Sequence, residues 1–270
     1  KTVKAYFGPD IYSADLPSNG ALKAINKWVN DKTNGMIPKL HDENYDKDTI
    51  MVLLNALYMK ADWAHKFEGN YTNDREFTKS DGSAVTVPFM NMYEAYESYI
   101  KTEDAEGIML PYDDGRLAFI ALKPGSGDAR GYAASLTGAK LKEAIAAAKA
   151  DTFVTVNMPK FSTGYSVYLT DALKAMGMTD AFDPDLADLS GAGRGVDGPL
   201  YISYVFQRVK VDVNEEGTEA AAVTEIATAE GCALPADEPI VLTFDKPFVY
   251  AIVDTGTGVP LFAGVMENPE

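Results

Sequence analysis

The sequence predicts an α+β fold, with many strands and a few separate helices. Three observations carry this reading. Residues 201–213 alternate strongly, with Val205, Gln207, Val209, Val211 and Val213 set against Phe206, Arg208, Lys210 and Asp212, which is the period of a strand. Further runs of strand character recur at 49–59, 117–122, 153–161, 241–244, 248–253 and 261–266, several of them bounded by turn residues. Helical stripes are fewer and lie apart from one another, as in an α+β chain rather than an alternating α/β one. With no internal repeat and no long linker, the whole of 1–270 reads as one domain.

Taken in order, Val3, Tyr6 and Phe7 give an amphipathic start before a Gly8-Pro9-Asp10 turn. Leu22, Ile25, Trp28 and Val29 form a helical stripe over 21–29, and Asn34-Gly35 ends it. Residues 49–59 are almost continuously apolar, which predicts a strand covered on both faces. Asn55 interrupts that run and needs a partner if buried. Ser80-Asp81-Gly82-Ser83 turns a hairpin between 76–78 and 84–87, and Asp113-Asp114-Gly115 joins strands at 109–112 and 117–122. Alanine content and the Leu141, Ile145 spacing predict a helix over 141–150. A second helix is predicted over 165–177, with Leu169, Leu173 and Met176 inward and Gly177 at its end.

Several function classes are disfavoured. A net charge of −16 argues against nucleic acid or an anionic membrane as partner. No apolar run reaches the length of a membrane span. The single cysteine, Cys232, rules out an internal disulfide. The two histidines, His41 and His65, stand without a nucleophile motif, so nothing reads as an enzyme. The acidic run 42–48 places Lys47 where a calcium loop needs glycine and Leu53 where it needs glutamate, and a solvated loop is the better reading. Gly191, Gly193 and Gly195 lack the strand-to-helix setting of a phosphate loop. No metal or cofactor is implied.

The stretch 214–232, N-E-E-G-T-E-A-A-A-V-T-E-I-A-T-A-E-G-C, is the most informative. Its alanines and glutamates favour a helix stopped by Gly231. In an extended conformation one face would carry Thr218, Ala220, Ala222 and Thr224, all small and uncharged, while the other holds Glu219 and Glu225. Such a ribbon slides between strands without burying a charge, and Gly217 supplies backbone freedom where movement begins.

Glu215-Glu216-Gly217-Thr218-Glu219-Ala220-Ala221-Ala222 resembles the hinge of the reactive-centre loop in serpins, the serine protease inhibitors. Leu242-Thr243-Phe244-Asp245-Lys246-Pro247-Phe248 and the residues to Ile252 are similar to the signature that follows that loop. Asn26, Trp28, Val29, Thr33, Gly35 and Ile37 fit the helix across the family's main sheet, and 156–161 and 188–191 fit further segments. The resemblance covers essentially the whole chain, and a lone cysteine with Gln207 leans it towards prokaryotic, exported members.

The resemblance carries definite expectations. They are a single serpin domain lacking the family's N-terminal helices, with large mixed sheets and surrounding helices, and a reactive-centre loop at about 215–238 that is exposed or inserted in the main sheet. Asn55 and Gln207, where the family commonly has a histidine, would form the "shutter", and Trp63 the "breach". Family register puts the scissile bond at Gly231–Cys232, with cleavage after Ala229, Cys232 or Leu234 as alternatives. The loop offers no Lys or Arg, so the expected partner is an elastase-like or subtilisin-like serine protease, met outside the cell. The alternative is a non-inhibitory binding or chaperone protein on the same fold.

Overall fold

The computed structural model of the chain describes residues 8–193, 195, 198–218 and 238–270. The helices are α1 (Asn19–Lys32), α2 (Ala129–Ser135), α3 (Gly138–Ala146) and α4 (Thr170–Ala175). The strands are β1 (Val52–Tyr58), β2 (Ala61–Asp62), β3 (Asn73–Thr78), β4 (Ala84–Lys101), β5 (Ala105–Pro111), β6 (Leu117–Pro124), β7 (Ala148–Pro159), β8 (Phe161–Tyr168), β9 (Tyr204–Val213), β10 (Gly217–Thr218), β11 (Ile240–Thr243), β12 (Phe248–Asp254) and β13 (Val259–Met266). The chain divides into two compact units, Lys1–Tyr58 with Gly164–Lys210, and Met59–Thr163 with Val211–Glu270.

In the first unit, the Ser18 hydroxyl caps α1 by accepting from the Ala21 amide at 3.2 Å. Val29 is fully buried and packs with Ile37, Leu40 and Phe206, joined by Leu54 and Ala56 of β1. Buried Thr33 ties the helix end to the next segment: its hydroxyl donates to the Val29 carbonyl at 2.8 Å and accepts from the Ile37 amide at 3.0 Å. Asn34 and Gly35 both adopt positive φ, as the stop signal predicts. β1 runs parallel to β9 in a register from Val52↔Tyr204 to Tyr58↔Lys210.

Two expectations fail in this unit. Helix α1 covers only the face that carries Leu54 and Ala56, so the other face of β1 is open among the described residues. Leu53 and Asn55 there are exposed, and the strand is not covered on both sides. The helix predicted over 165–177 is also too long. Tyr165, Val167 and Tyr168 belong to β8, which pairs with β9, and α4 occupies only Thr170–Ala175. β-branched and aromatic side chains that pair with a neighbouring strand override the i, i+4 spacing. Leu169 and Leu173 do pack, against Phe182, Ile202 and Val205, but Met176 is 83% exposed.

His41 lies between the rings of Phe206 (4.7 Å) and Tyr45 (5.1 Å), and its buried Nε2 has no hydrogen-bond partner among the described residues. Burial holds its pKa below the ordinary 6.5, with the Arg208 charge adding to the effect and Asp42 opposing it. A depressed folded pKa means that the unfolded chain binds protons first as the pH falls. Stability from His41 is therefore intact above about pH 6.5 and declines below it. His41→Phe should flatten the fall of the urea midpoint between about pH 7 and 5; an unchanged slope contradicts this.

The second unit is built on an eight-stranded sheet in the order β11-β7-β4-β5-β6-β12-β13, with β3 on β4. The apolar run 248–253 is a strand as predicted, and all seven residues of β12 are buried because β6 and β13 flank it on both sides. Ile100, Ile120, Leu122, Val249 and Val253 form one cluster with Leu141 and Ala144 of α3. The predicted helix at 141–150 is shifted: Thr137 caps α3, and Ala148 already starts β7 by pairing with Ile100. Among the described residues no helix is long and apolar enough to cross a membrane.

Candidate functional site

Within the second unit, residues 61–67 and 213–218 close on each other. Thr218 of β10 pairs with Val213 at the end of β9 on one side and with Ala61 of β2 on the other, antiparallel to both. Gly217 sits opposite Asp62. A β-carbon at Gly217 would lie 2.1 Å from the Ala61 carbonyl oxygen and 2.7 Å from the Asp62 Cα, so the close approach of two backbones demands glycine here. The preceding turn is tied by the Asn214 amide donating to the Gly217 carbonyl (3.0 Å) and by Asn214 Oδ1 accepting from the Glu216 amide (2.9 Å).

Trp63 forms the floor of this region and is 2% exposed. It stacks on Tyr112 at 4.8 Å and meets Phe67 and Phe119 edge-on. Its indole Nε1 donates to the Asn214 carbonyl at 2.9 Å, and its amide donates to the Glu216 carbonyl at 2.8 Å. The Phe67 amide donates to the Glu215 carbonyl at 3.0 Å. Thr218 is fully buried, with its hydroxyl 2.6 Å from the Tyr112 hydroxyl. Burial pushes the Tyr112 pKa up, the Thr218 bond pulling it partly back, so the phenol stays neutral.

The two glutamates that open the hinge are both held by lysines. Glu215 meets Lys160 at 2.8 Å and accepts from the Thr72 hydroxyl at 2.7 Å. Burial pushes the Glu215 carboxyl up, but the Lys160 and Thr72 bonds outweigh it and hold the group below the usual range. Glu216 meets Lys66 at 2.7 Å, and the same ammonium reaches Asp62 at 3.2 Å. Those two carboxylates raise the Lys66 pKa, Glu216 most.

The structure thus brings Trp63, Glu215, Glu216, Gly217 and Thr218 together. Asn55 and Gln207 lie in the first unit, directly opposite each other on β1 and β9. Asn55 is exposed there, and among the described residues neither side chain makes a hydrogen bond. Glu219, Ala220, Ala221, Ala222, Gly231 and Cys232 lie outside the described residues. Sequence reasoning assigned no role to Lys66, Thr72, Tyr112 or Lys160. Tyr112 and Lys160 follow prolines, in L-P-Y and M-P-K, which mark strand ends but not what those ends face.

The family model for serpins (serine protease inhibitor) matches residues 1–269. The chain belongs to the serpin family. Among its relatives, this serpin is 34% identical to Serpin B10 of Otolemur garnettii, over 99% of this chain and 68% of that protein. It is 34% identical to the leukocyte elastase inhibitor of Xenopus laevis, over 99% of this chain and 72% of that one. Among solved structures, the thermophilic serpin Tengpin in the native state matches with a TM-score of 0.88 and 34% identity, covering 98% of this chain and 67% of that one. The chain spans about two thirds of the length of these relatives. The fold is the α+β serpin fold, as the motifs imply.

Proposed function

We propose that this serpin acts as a suicide substrate of serine endopeptidases with small specificity pockets, elastase-like or subtilisin-like. The observation that carries this reading is the rung formed by Gly217 and Thr218, antiparallel to β9 on one side and β2 on the other. β1 and β9 are parallel and pair directly over seven rungs. A strand that is antiparallel to both flanks satisfies the ladders on its two sides, so β10 is the right start for a longer inserted strand. The small face of Thr218, Ala220, Ala222 and Thr224 would then line the sheet interior.

In this reading the protease serine attacks the carbonyl carbon of the scissile bond, at Gly231–Cys232 or close by, to give an acyl-enzyme and a free amino terminus on the departing strand. The loop then extends β10 along β9, taking over the rungs that β1 now makes. The tethered protease is carried away before water can hydrolyse the ester. Asn55 and Gln207 lie on the rung where the two strands must part. The protein is consumed rather than turned over, and the encounter takes place outside the cell. The relative that is a leukocyte elastase inhibitor supports the choice of pocket. A non-inhibitory member would have no need of small residues along the hinge.

The test is incubation of the protein with pancreatic elastase and with subtilisin, followed by denaturing electrophoresis. A covalent complex stable to denaturant is expected, and sequencing of the released peptide locates the bond. Clean cleavage without complex would favour the non-inhibitory reading.

A further inference from the structure

We infer that Lys66 is a positioning residue for loop insertion, an ionic clamp that keeps the first rung of the inserting strand formed; this rests on the inhibitory reading above. Asp62 and Gly217 are partners across β2 and β10, and Glu216 is adjacent to Gly217. Two carboxylates therefore stand beside the rung from which any further insertion must propagate. Both are neutralised by one ammonium, at 3.2 and 2.7 Å. The Glu216 side chain is 19% exposed and that of Lys66 46%, so the clamp lies partly below the surface. The neighbouring cation Lys160 is engaged by Glu215 at 2.8 Å.

Without the ammonium, Asp62 and Glu216 repel each other across the strand pair, and the Gly217–Thr218 rung opens more often. Zipping then starts from a rung that must first re-form. The acyl-enzyme is a race between insertion and hydrolysis, so slower zipping diverts molecules to the cleaved, substrate-like outcome. Encounter with the protease occurs at the loop and is untouched. The effect is thus on partition, not on recognition.

The experiment compares Lys66→Met and Lys66→Arg with the parent protein. Met keeps the length and apolar stem while removing the charge, and Arg keeps the charge. Against subtilisin, Lys66→Met should raise the stoichiometry of inhibition several-fold at an unchanged second-order rate of loop attack. Lys66→Arg should stay close to the parent. Amide exchange at Glu216, Gly217 and Thr218, read with no protease present, should quicken several-fold in Lys66→Met and not in Lys66→Arg. Unchanged exchange in Lys66→Met overturns the clamp, as does a melting temperature that falls equally in both variants, which marks a general structural role. Quickened exchange in Lys66→Met, together with a parent that forms no complex with any protease, upholds the clamp and overturns the inhibitory reading instead.

Discussion

Thr218→Arg is expected to turn the inhibitor into a substrate. Thr218 is fully buried and lies within 2.6 Å of the Tyr112 hydroxyl. Among the described residues a guanidinium at that position meets no free carboxylate in the rung, because Glu215 is engaged by Lys160, and Glu216 and Asp62 by Lys66. The variant would hold this rung open before cleavage; burying the guanidinium unpaired as the loop inserts then costs several kcal/mol, and each 1.4 kcal/mol on the insertion barrier slows that step about tenfold. Hydrolysis of the acyl-enzyme is not slowed, so cleaved protein accumulates and free protease returns. The stoichiometry of inhibition should climb from near one to roughly ten or more. Thr218→Val separates the causes: it keeps the size, loses only the Tyr112 bond, and should raise the ratio slightly. A value near one for Thr218→Arg means that loop insertion does not depend on the Thr218 rung.

The second large effect falls on stability. Trp63→Ala removes a ring that stacks on Tyr112 and touches Phe67 and Phe119, and it strips the Asn214 carbonyl of its indole donor. Large-to-small changes of this kind cost about 3–5 kcal/mol. At about 2–4 °C per kcal/mol for a chain of this size, the melting temperature should fall by roughly 10 °C or more. Trp63→Phe keeps an aromatic ring but loses the indole bond to the Asn214 carbonyl, which keeps only the longer bond from the Gly217 amide at 3.3 Å; one such hydrogen bond contributes about 0.5–1.5 kcal/mol. Equal losses in the two variants would show that packing is not what Trp63 supplies.

Much of the strand pattern could be read in advance because burial imposes its period directly. The alternation of 204–213, the apolar run of β12 and the Ser80-Asp81-Gly82-Ser83 turn all correspond to elements found. The shutter pair Asn55 and Gln207 was implied by the family resemblance; the register puts the two residues on one rung, but among the described residues their side chains do not hydrogen-bond. What could not be read depends on tertiary partners. The segment 165–168 carries a helical spacing and strand-forming side chains together, and pairing with β9 decides between them. Leu53 looks as apolar as Leu54, yet only the latter faces α1.

The candidate site divides in the same way. Gly217 and Thr218 announce themselves by size in a chain segment otherwise rich in glutamate. Lys66 and Tyr112 stand about 150 and 106 residues from the groups they bind, and no local pattern encodes that distance. Long-range ion pairs follow from topology, so lysine composition alone carries no hint of which one holds the hinge.

The account depends on the cleaved loop becoming a strand of the sheet, and thermal melting before and after a single loop cut tests it most directly. Insertion adds a full ladder on each side of β10, so the nicked protein should melt at least roughly 10 °C above the intact one, at about 2–4 °C per kcal/mol gained. A nicked protein that melts at or below the intact temperature would contradict the claim, because the loop would then have remained outside the sheet.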